Sequence, residues 1–203
     1  MLDWTLVTLL FIILAAGLVL HRFLRGPSLR AYDPPVEQRP GGRDTASTEH
    51  QEAVRLLEQA TSEIRSAPLK QRLAAIRRVM EQGFLDPALV DTAAYRIEDT
   101  NAGGVPGEWV LAPQSDPNRR VLYLHRGAFV SGCPRGHRMI TTRLARATGA
   151  AVLALDYRLM PEHSRRDMIA DCQTGYRWIL DHGPDGPAPV RELFVAGDSA
   201  GGN

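Results

Sequence analysis

A serine between small residues lies near the end of this sequence of 203 residues. The segment Gly197–Asn203 reads G-D-S-A-G-G-N and contains the pattern G-x-S-x-G around Ser199. A serine nucleophile has to stand on a sharp turn between a strand and a helix, and small flanking residues let that turn close without clashes. The alternative interpretation is a glycine-rich turn whose serine has no catalytic role. The pattern therefore indicates Ser199 as a candidate nucleophile for acyl transfer.

A second cluster, His125–Phe129, reads H-R-G-A-F and follows the apolar run Val121–Leu124. Acyl transfer develops a negative charge on the carbonyl oxygen, and backbone N–H groups held in place are its usual stabilisers. A loop of small residues beyond a strand end brings such donors close to a nucleophile. We interpret His125 as a structural residue that holds this loop, not as a catalytic base.

A third cluster, Asp156–His163, reads D-Y-R-L-M-P-E-H and follows the apolar run Ala150–Leu155. We interpret it as a structural loop that is stabilised by hydrogen bonds and has no catalytic role. A further apolar run, Leu193–Ala196, leads into the candidate nucleophile. Short apolar runs without alternation are typical of strands that are buried on both faces of a parallel sheet.

The elements that must position these clusters alternate between strands and helices. Helical spacing is found in His137–Ala147 and Arg166–Leu180, and earlier strands are predicted at Tyr95–Asp99 and Glu108–Leu111. This alternation predicts an α/β layered domain, a mostly parallel sheet with flanking helices. Because such sheets place ligands at the carboxyl ends of their strands, all three clusters lie where a site is expected.

The three motifs, in this order, resemble those of the hormone-sensitive-lipase family of α/β-hydrolase esterases. The resemblance covers about Tyr95–Asn203, and the helices before it look like the N-terminal cap of that family. It implies an α/β-hydrolase fold and a carboxylesterase that cleaves small esters of short or medium acyl chains. It implies neither a metal nor an organic cofactor.

The resemblance also implies a role for individual residues. Ser199 matches the nucleophile, and the backbone amides of Gly127, Ala128 and Ala200 match the oxyanion hole. Asp198 lies beside the nucleophile as it does in the family, where it is not the acid of the triad. We therefore assign Asp198, with His125, to the support of the loops.

Three departures from the family pattern stand out. Arg126 replaces a glycine of the family's loop, which predicts strain if the backbone there needs a glycine-only conformation. Ser164–Arg166 replaces a Pro-Phe-Pro segment, so the entry to the next helix is expected to differ. In this fold the triad runs Ser, then Asp or Glu, then His, yet all six histidines precede Ser199. The acid and the base of the triad are therefore missing from this chain.

Two classes of function follow from the missing triad partners. The first is a membrane-anchored serine esterase whose sequence is shown incomplete, as a fragment or a truncated product. The second is a catalytically inactive remnant that binds lipids or a partner. A third class, a nucleotide-binding α/β protein, is weaker because the sequence contains no phosphate-binding G-x-x-x-x-G-K-[ST] pattern.

The N-terminal segment Trp4–Leu20 contains no charged residue. As a helix it would span about 25 Å, near the lower limit for crossing a bilayer. The interpretations are an uncleaved membrane anchor, a cleaved secretory signal and a buried helix, and the flanking charges favour the anchor. Because Asp3 precedes the run and Arg22 and Arg25 follow it, we expect a single-pass protein with its catalytic domain in the cytoplasm.

The predicted organisation has four parts: a transmembrane anchor (1–25), a linker rich in proline and glycine (26–48), a helical cap segment (49–90) and an incomplete α/β-hydrolase domain (91–203). The simplest interpretation of the cap helices is that they pack on a core. The formal net charge of +1 offers no argument for binding nucleic acid, and two cysteines exclude a disulfide framework and a four-cysteine zinc site. The sequence does not indicate an oligomeric state.

Overall fold

The protein is described by a computed structural model that covers residues 4–24, 47–82 and 92–203. The chain divides into two units, Met1–Ser47 and Thr48–Asn203. Helix α1, Trp4–Leu24, is the main described element of the first unit. The predicted linker, residues 26–48, lies outside the described residues except at its last two positions, Ser47 and Thr48.

The predicted transmembrane anchor at residues 4–20 needs correction. The segment is helical, but no helix within the described ranges has both the length and the apolar character required to cross a bilayer. The uncharged run ends at Leu20, and His21 and Arg22 already occupy the last turn of α1.

The second unit begins with two helices that differ in how they contact the rest. Helix α2, Thr48–Ser66, has no buried residue, whereas α3, Arg72–Gln82, buries Ala75 and Val79. A 3-10 turn, Leu69–Gln71, precedes α3, and Pro68 stands at its start. The last part of the predicted cap segment, from residue 83 to residue 90, lies outside the described residues.

A five-stranded sheet forms the centre of this unit, in the order β1-β2-β4-β3-β7. Its strand β2 runs antiparallel to β1 and β4, whereas β3 runs parallel to β4 and β7, so four of the five strands share one direction. A separate two-stranded hairpin is formed by β5 and β6. The bounds are β1 Arg96–Ala102, β2 Val105–Leu111, β3 Asp116–Leu124, β4 Ala150–Leu155, β5 His182–Gly183, β6 Gly186–Pro187 and β7 Glu192–Gly197.

Helices α4, Arg138–Thr148, and α5, Arg165–Asp181, cover opposite faces of the sheet. Successive side chains of a strand point to opposite faces. Leu153 therefore belongs to the core that includes Met168 of α5, while Val152 belongs to the core that includes Ala145 of α4. All six residues of β4 are buried, which explains its continuous apolar run. The predicted α/β fold, with mostly parallel strands between helices, is confirmed.

The segment Ser164–Arg166, which replaces the family's Pro-Phe-Pro, begins α5 with a capping box. Ser164 is the N-cap of this helix, and its side-chain oxygen accepts a hydrogen bond from the Asp167 N–H. The Asp167 carboxylate accepts the Ser164 N–H at 2.8 Å in return. This reciprocal capping box fixes the entry to α5 without a proline.

Candidate active site

The loop after β3 and the turn after β7 lie side by side because their strands are paired in parallel. Leu124, the last residue of β3, is opposite Gly197, the last residue of β7. A Cβ atom added to Gly201 would overlap the carbonyl oxygen of Leu124 and would lie 2.9 Å from that of His125. The turn with the candidate nucleophile thus packs directly on the start of the loop His125–Phe129.

Ser199 has a left-handed backbone, with φ 52°, at the start of the 3-10 turn Ser199–Gly202. The Asp198 carbonyl oxygen accepts a hydrogen bond from the Gly201 N–H at 3.0 Å, which closes this turn. A left-handed conformation costs a residue with a side chain of the order of 1–3 kcal/mol and is frequent at functional sites. The strand, the sharp turn and the helical start are thus present around Ser199, as G-x-S-x-G requires.

The loop that carries the candidate oxyanion donors has three successive residues with positive φ: Gly127 at 136°, Ala128 at 53° and Phe129 at 65°. The Gly127 carbonyl oxygen accepts hydrogen bonds from the N–H groups of Val130 and Ser131 and from the Ser131 hydroxyl, each at 3.0 Å. The N–H groups of Gly127 and Ala128 donate to no other residue in the described part of the chain. These two amides are therefore available as donors.

Arg126 carries no left-handed strain, because it is not among the described residues with positive φ. The left-handed conformation is adopted instead by Ala128 and Phe129. The Arg126 Nε lies 3.6 Å from Oδ2 of Asp198, so an ion pair links the loop to the turn. Oδ1 of the same carboxylate accepts a hydrogen bond from the Tyr123 hydroxyl at 2.7 Å. Burial, and next this hydrogen bond, raise the pKa of Tyr123 above its usual value, which keeps its hydroxyl a donor.

His125 lies at the base of the loop and is only 1% exposed. Its ring stacks on Tyr157, with centroids 4.3 Å apart, and on His137, with centroids 5.3 Å apart. Its Nδ1 lies 2.8 Å from the carbonyl oxygen of Arg126, so Nδ1 must carry the proton of the neutral ring. Burial lowers the pKa of His125 to about 4, and this ring is therefore neutral at neutral pH.

Among the described residues, no hydrogen bond joins Ser199 to a histidine. The Nδ1 atoms of His137 and His182 lie within 3.0 Å of the carbonyl oxygens of Cys133 and Trp178. Like His125, these two rings are held by the backbone.

The cluster Asp156–His163 is a brace, as predicted. The Tyr157 hydroxyl donates to the carbonyl oxygen of His125. The Arg158 guanidinium donates to both carboxylate oxygens of Asp171 on α5, at 2.7 and 2.8 Å. These contacts tie the loop after β4 both to the base of the candidate oxyanion loop and to the helix behind it.

Sequence reasoning missed two residues of this region, Tyr123 and Arg77. Tyr123 lies in the apolar run of β3, and nothing in the pattern separates it from a core residue. Arg77 bonds to Glu162 across 85 positions of sequence, so no local spacing signals the pair. Because α3 also contains Arg72 and Arg78, nothing in its sequence distinguishes Arg77 from a solvent-exposed arginine.

A cavity of about 440 Å³ lies between α5 and the ends of β3 and β7. Its lining is largely apolar and includes Leu122, Met168 and Val195. Ala200 and Gly201 border it, but Ser199, Gly127 and Ala128 do not. The cavity therefore adjoins the candidate nucleophile turn without enclosing the serine.

Comparison with known proteins agrees with this geometry. Residues 121–203 match the family described as the alpha/beta hydrolase fold. The chain is 40% identical over 99 residues to an acetyl-hydrolase of Streptomyces hygroscopicus, which covers 49% of this chain and 31% of that protein. It is 38% identical over 112 residues to the esterase LipU of Mycobacterium tuberculosis, which covers 54% of this chain and 35% of that protein. The chain thus spans about a third of the length of these curated relatives.

Solved structures extend the similarity to the fold. An esterase from the bacterial hormone-sensitive lipase family superposes with a TM-score of 0.61 at 30% identity, over 78% of this chain and 50% of that one. An esterase/lipase from an uncultured bacterium gives a TM-score of 0.56 at 34% identity, over 77% of this chain and 50% of that one. The match begins well before residue 121, because it covers more of the chain than the family match does.

Proposed function

From the match of residues 121–203 to the alpha/beta hydrolase fold and the similarity to hormone-sensitive-lipase esterases, we propose that the chain is a member of that family and supplies the nucleophile and the oxyanion loop of a serine carboxylesterase. The observation that carries the proposal is the position of Ser199. It stands on a left-handed turn directly after a parallel strand, beside a loop in which two backbone N–H groups donate to no other described residue.

In the proposed reaction the Ser199 hydroxyl oxygen attacks the carbonyl carbon of a small acyl ester. The carbonyl oxygen becomes negatively charged, and the N–H groups of Gly127, Ala128 and Ala200 stabilise it. Asp198 acts as support, because it fixes the turn to Tyr123 and to Arg126 of the loop. The acyl group is transferred to the serine and the alcohol leaves, after which water releases the acid.

The serine proton must pass to a general base, and none of the histidines in the described residues is hydrogen-bonded to Ser199. This observation favours a second candidate function, a binding remnant without turnover. Such a remnant would keep the fold and the loops but would not form a covalent acyl intermediate. The two functions therefore differ in a measurable reaction at one hydroxyl.

The test is hydrolysis of p-nitrophenyl acetate, butyrate and octanoate by the protein expressed from its complete reading frame, together with labelling by a fluorophosphonate. We expect Ser199→Ala to abolish labelling and to lower kcat by roughly a thousand-fold or more, because it removes the nucleophile. Ser62→Ala is the matched control, since Ser62 is an exposed serine of α2.

Two outcomes would contradict the esterase. Labelling that survives in Ser199→Ala would place the nucleophile elsewhere. A wild-type protein that is folded, is not labelled and cleaves none of the three esters would leave the binding remnant as the function.

The division into linker, cap segment and hydrolase domain at residues 26–48, 49–90 and 91–203 belongs to the same proposal.

A further inference from the structure

The loop with the candidate oxyanion donors needs support from outside itself. Ala128 and Phe129 both have left-handed backbones, and the glycine before them has φ 136°. Strained residues of this kind persist only where the surroundings determine their conformation. Because the loop's internal hydrogen bonds converge on the single carbonyl oxygen of Gly127, further contacts have to fix its far side.

Arg77, on α3, makes these contacts. Its Nε donates to the carbonyl oxygen of Val130 at 2.9 Å, in the loop itself. Its Nη2 donates to the carbonyl oxygen of Met160 at 3.0 Å, in the brace after β4. The N–H of Met160 in turn donates to the carbonyl oxygen of Phe129 at 2.9 Å. One guanidinium thus binds both the loop after β3 and the loop after β4, and these two loops are also hydrogen-bonded to each other beside the strained residues.

Glu162 orients this guanidinium. Its two carboxylate oxygens accept from Nη1 and Nη2 of Arg77 at 2.8 and 2.6 Å, a fork-to-fork arrangement. The hydrogen bonds from Arg77 lower the pKa of Glu162 to about 2, so the pair is charged at neutral pH. The side chains are 33% and 52% exposed, and ion pairs of such exposure add little to stability. The contribution of Arg77 therefore comes from its hydrogen bonds to two backbone carbonyl oxygens, not from the ion pair.

The position of α3 makes the arrangement specific. Ala75 and Val79 are buried on the same helix, and a Cβ added to Gly136 would lie 2.6 Å from the carbonyl oxygen of Met80. The helix is thus packed closely on the segment that leads into α4. Arg78, the next residue, pairs instead with Glu63 of α2 and makes no such contact with the loop.

We infer that Arg77 is a positioning residue that holds the loop from Gly127 to Ser131 in the conformation in which its N–H groups can receive an oxyanion. The inference rests on the proposed esterase function and deepens it, because it extends the machinery to a helix outside residues 121–203. It also adds a positioning role for α3 to the predicted packing of the cap helices on a core.

The experiment compares Arg77→Gln, Arg77→Lys and Glu162→Gln with Arg78→Gln as the matched control. Hydrogen–deuterium exchange reports on the loop through the N–H groups of Val130, Ser131 and Met160. We expect about a ten-fold loss of protection there in Arg77→Gln, with the sheet unchanged. Arg77→Lys should show a partial loss, because an ammonium lacks the planar fork that reaches both carbonyl oxygens.

Kinetics on p-nitrophenyl butyrate separate positioning from general stability. We expect Arg77→Gln to lower kcat about ten-fold and to change KM less than two-fold, because displaced oxyanion donors affect the transition state more than substrate binding. Glu162→Gln should lie between the wild type and Arg77→Gln, since the amide oxygen still accepts from Arg77. Arg78→Gln should match the wild type in both measurements.

Each outcome is decisive. Unchanged exchange in the loop of Arg77→Gln overturns the inference, as does a kcat equal to that of Arg78→Gln. Loss of protection throughout the sheet, with a lower Tm, would show a general structural role and overturn it as well. A wild type that cleaves no ester overturns the proposed function alone, because the exchange measurement still decides whether Arg77 holds the loop.

Discussion

His125 shows how one buried side chain supports the loop through its backbone. The ring lies between Tyr157 and His137 and donates from Nδ1 to the Arg126 carbonyl oxygen. Its Nε2 is buried and has no hydrogen-bond partner among the described residues. A second proton on this ring would therefore enter a site that holds no acceptor for it.

This burial predicts that the unit loses stability on mild acidification. The pKa of His125 is about 4 in the folded protein and about 6.5 in the unfolded chain. Its contribution to stability is complete above pH 6.5 and is lost as the pH falls toward 4, because the unfolded chain then binds the proton more tightly. We expect the free energy of unfolding to fall by about 2 kcal/mol between pH 7 and pH 5 from this group.

Urea denaturation at both pH values measures this fall. His125→Asn keeps a donor near the position of Nδ1 but does not titrate, so its pH dependence should be smaller even though its stability is lower at both values. His163→Gln is the control, because His163 is exposed. A pH dependence of His125→Asn equal to that of the wild type would contradict the assignment.

At the scale of elements, the close approach of the nucleophile turn to the end of β3 depends on Gly201. A Cβ there would overlap the Leu124 carbonyl oxygen, which belongs to the backbone and cannot move aside cheaply. We expect Gly201→Ala to displace the turn and to slow fluorophosphonate labelling of Ser199 by roughly ten-fold or more, since a misplacement of about 1 Å has effects of this size or larger.

Gly202→Ala is the matched control for this change. Its Cβ would lie 3.2 Å from the nearest atom, the carbonyl oxygen of Gly197, so a small shift accommodates it. Labelling rates measured with the same fluorophosphonate compare the two variants directly. Equal rates in Gly201→Ala and Gly202→Ala would show that the contact with β3 does not position the serine.

The elements themselves were largely predictable, but the conformation of the loop between them was not. The apolar run Ala150–Leu155 coincides with β4, because a strand buried on both faces has no polar position to obscure it. Ala128 and Phe129 have positive φ, although neither residue type favours it. Their conformation is imposed by contacts with distant segments, and no local pattern contains that information.

At the scale of the whole molecule, two arginines connect segments that are far apart in the sequence. Arg77 joins α3 to the loops at the carboxyl ends of the strands. Arg120, in the middle of β3, is fully buried. The sequence predicted core helices and core strands but neither arginine, since a charged side chain within a core is uncommon and its partners are distant. The family motifs all lie at one end of the sheet, so they did not indicate Arg120 either.

The Arg120 guanidinium connects three segments near the start of β3. It donates to the carbonyl oxygens of Pro117 at 2.8 Å, Ile179 at 2.7 Å and Ala188 at 2.9 Å. Gly183 lies so close that an added Cβ would be 2.8 Å from the guanidinium. Burial lowers the pKa of Arg120, which reflects how far the charge is removed from water. These contacts join the start of β3 to the end of α5 and to the segment before β7.

Removing this side chain should therefore destabilise the whole unit. We expect Arg120→Met to lower the free energy of unfolding by about 3 kcal/mol or more, because it leaves three carbonyl oxygens without their donor, and the hydrogen bond to Ile179 among them is fully buried. Arg191→Met is the control, since Arg191 pairs at the surface with Asp116 and is 58% exposed, and about 1 kcal/mol or less is expected there. Urea denaturation of the two variants gives the comparison. If they lose equal stability, Arg120 contributes no more than an ordinary surface arginine, and the segments around β3 are held by their apolar cores alone.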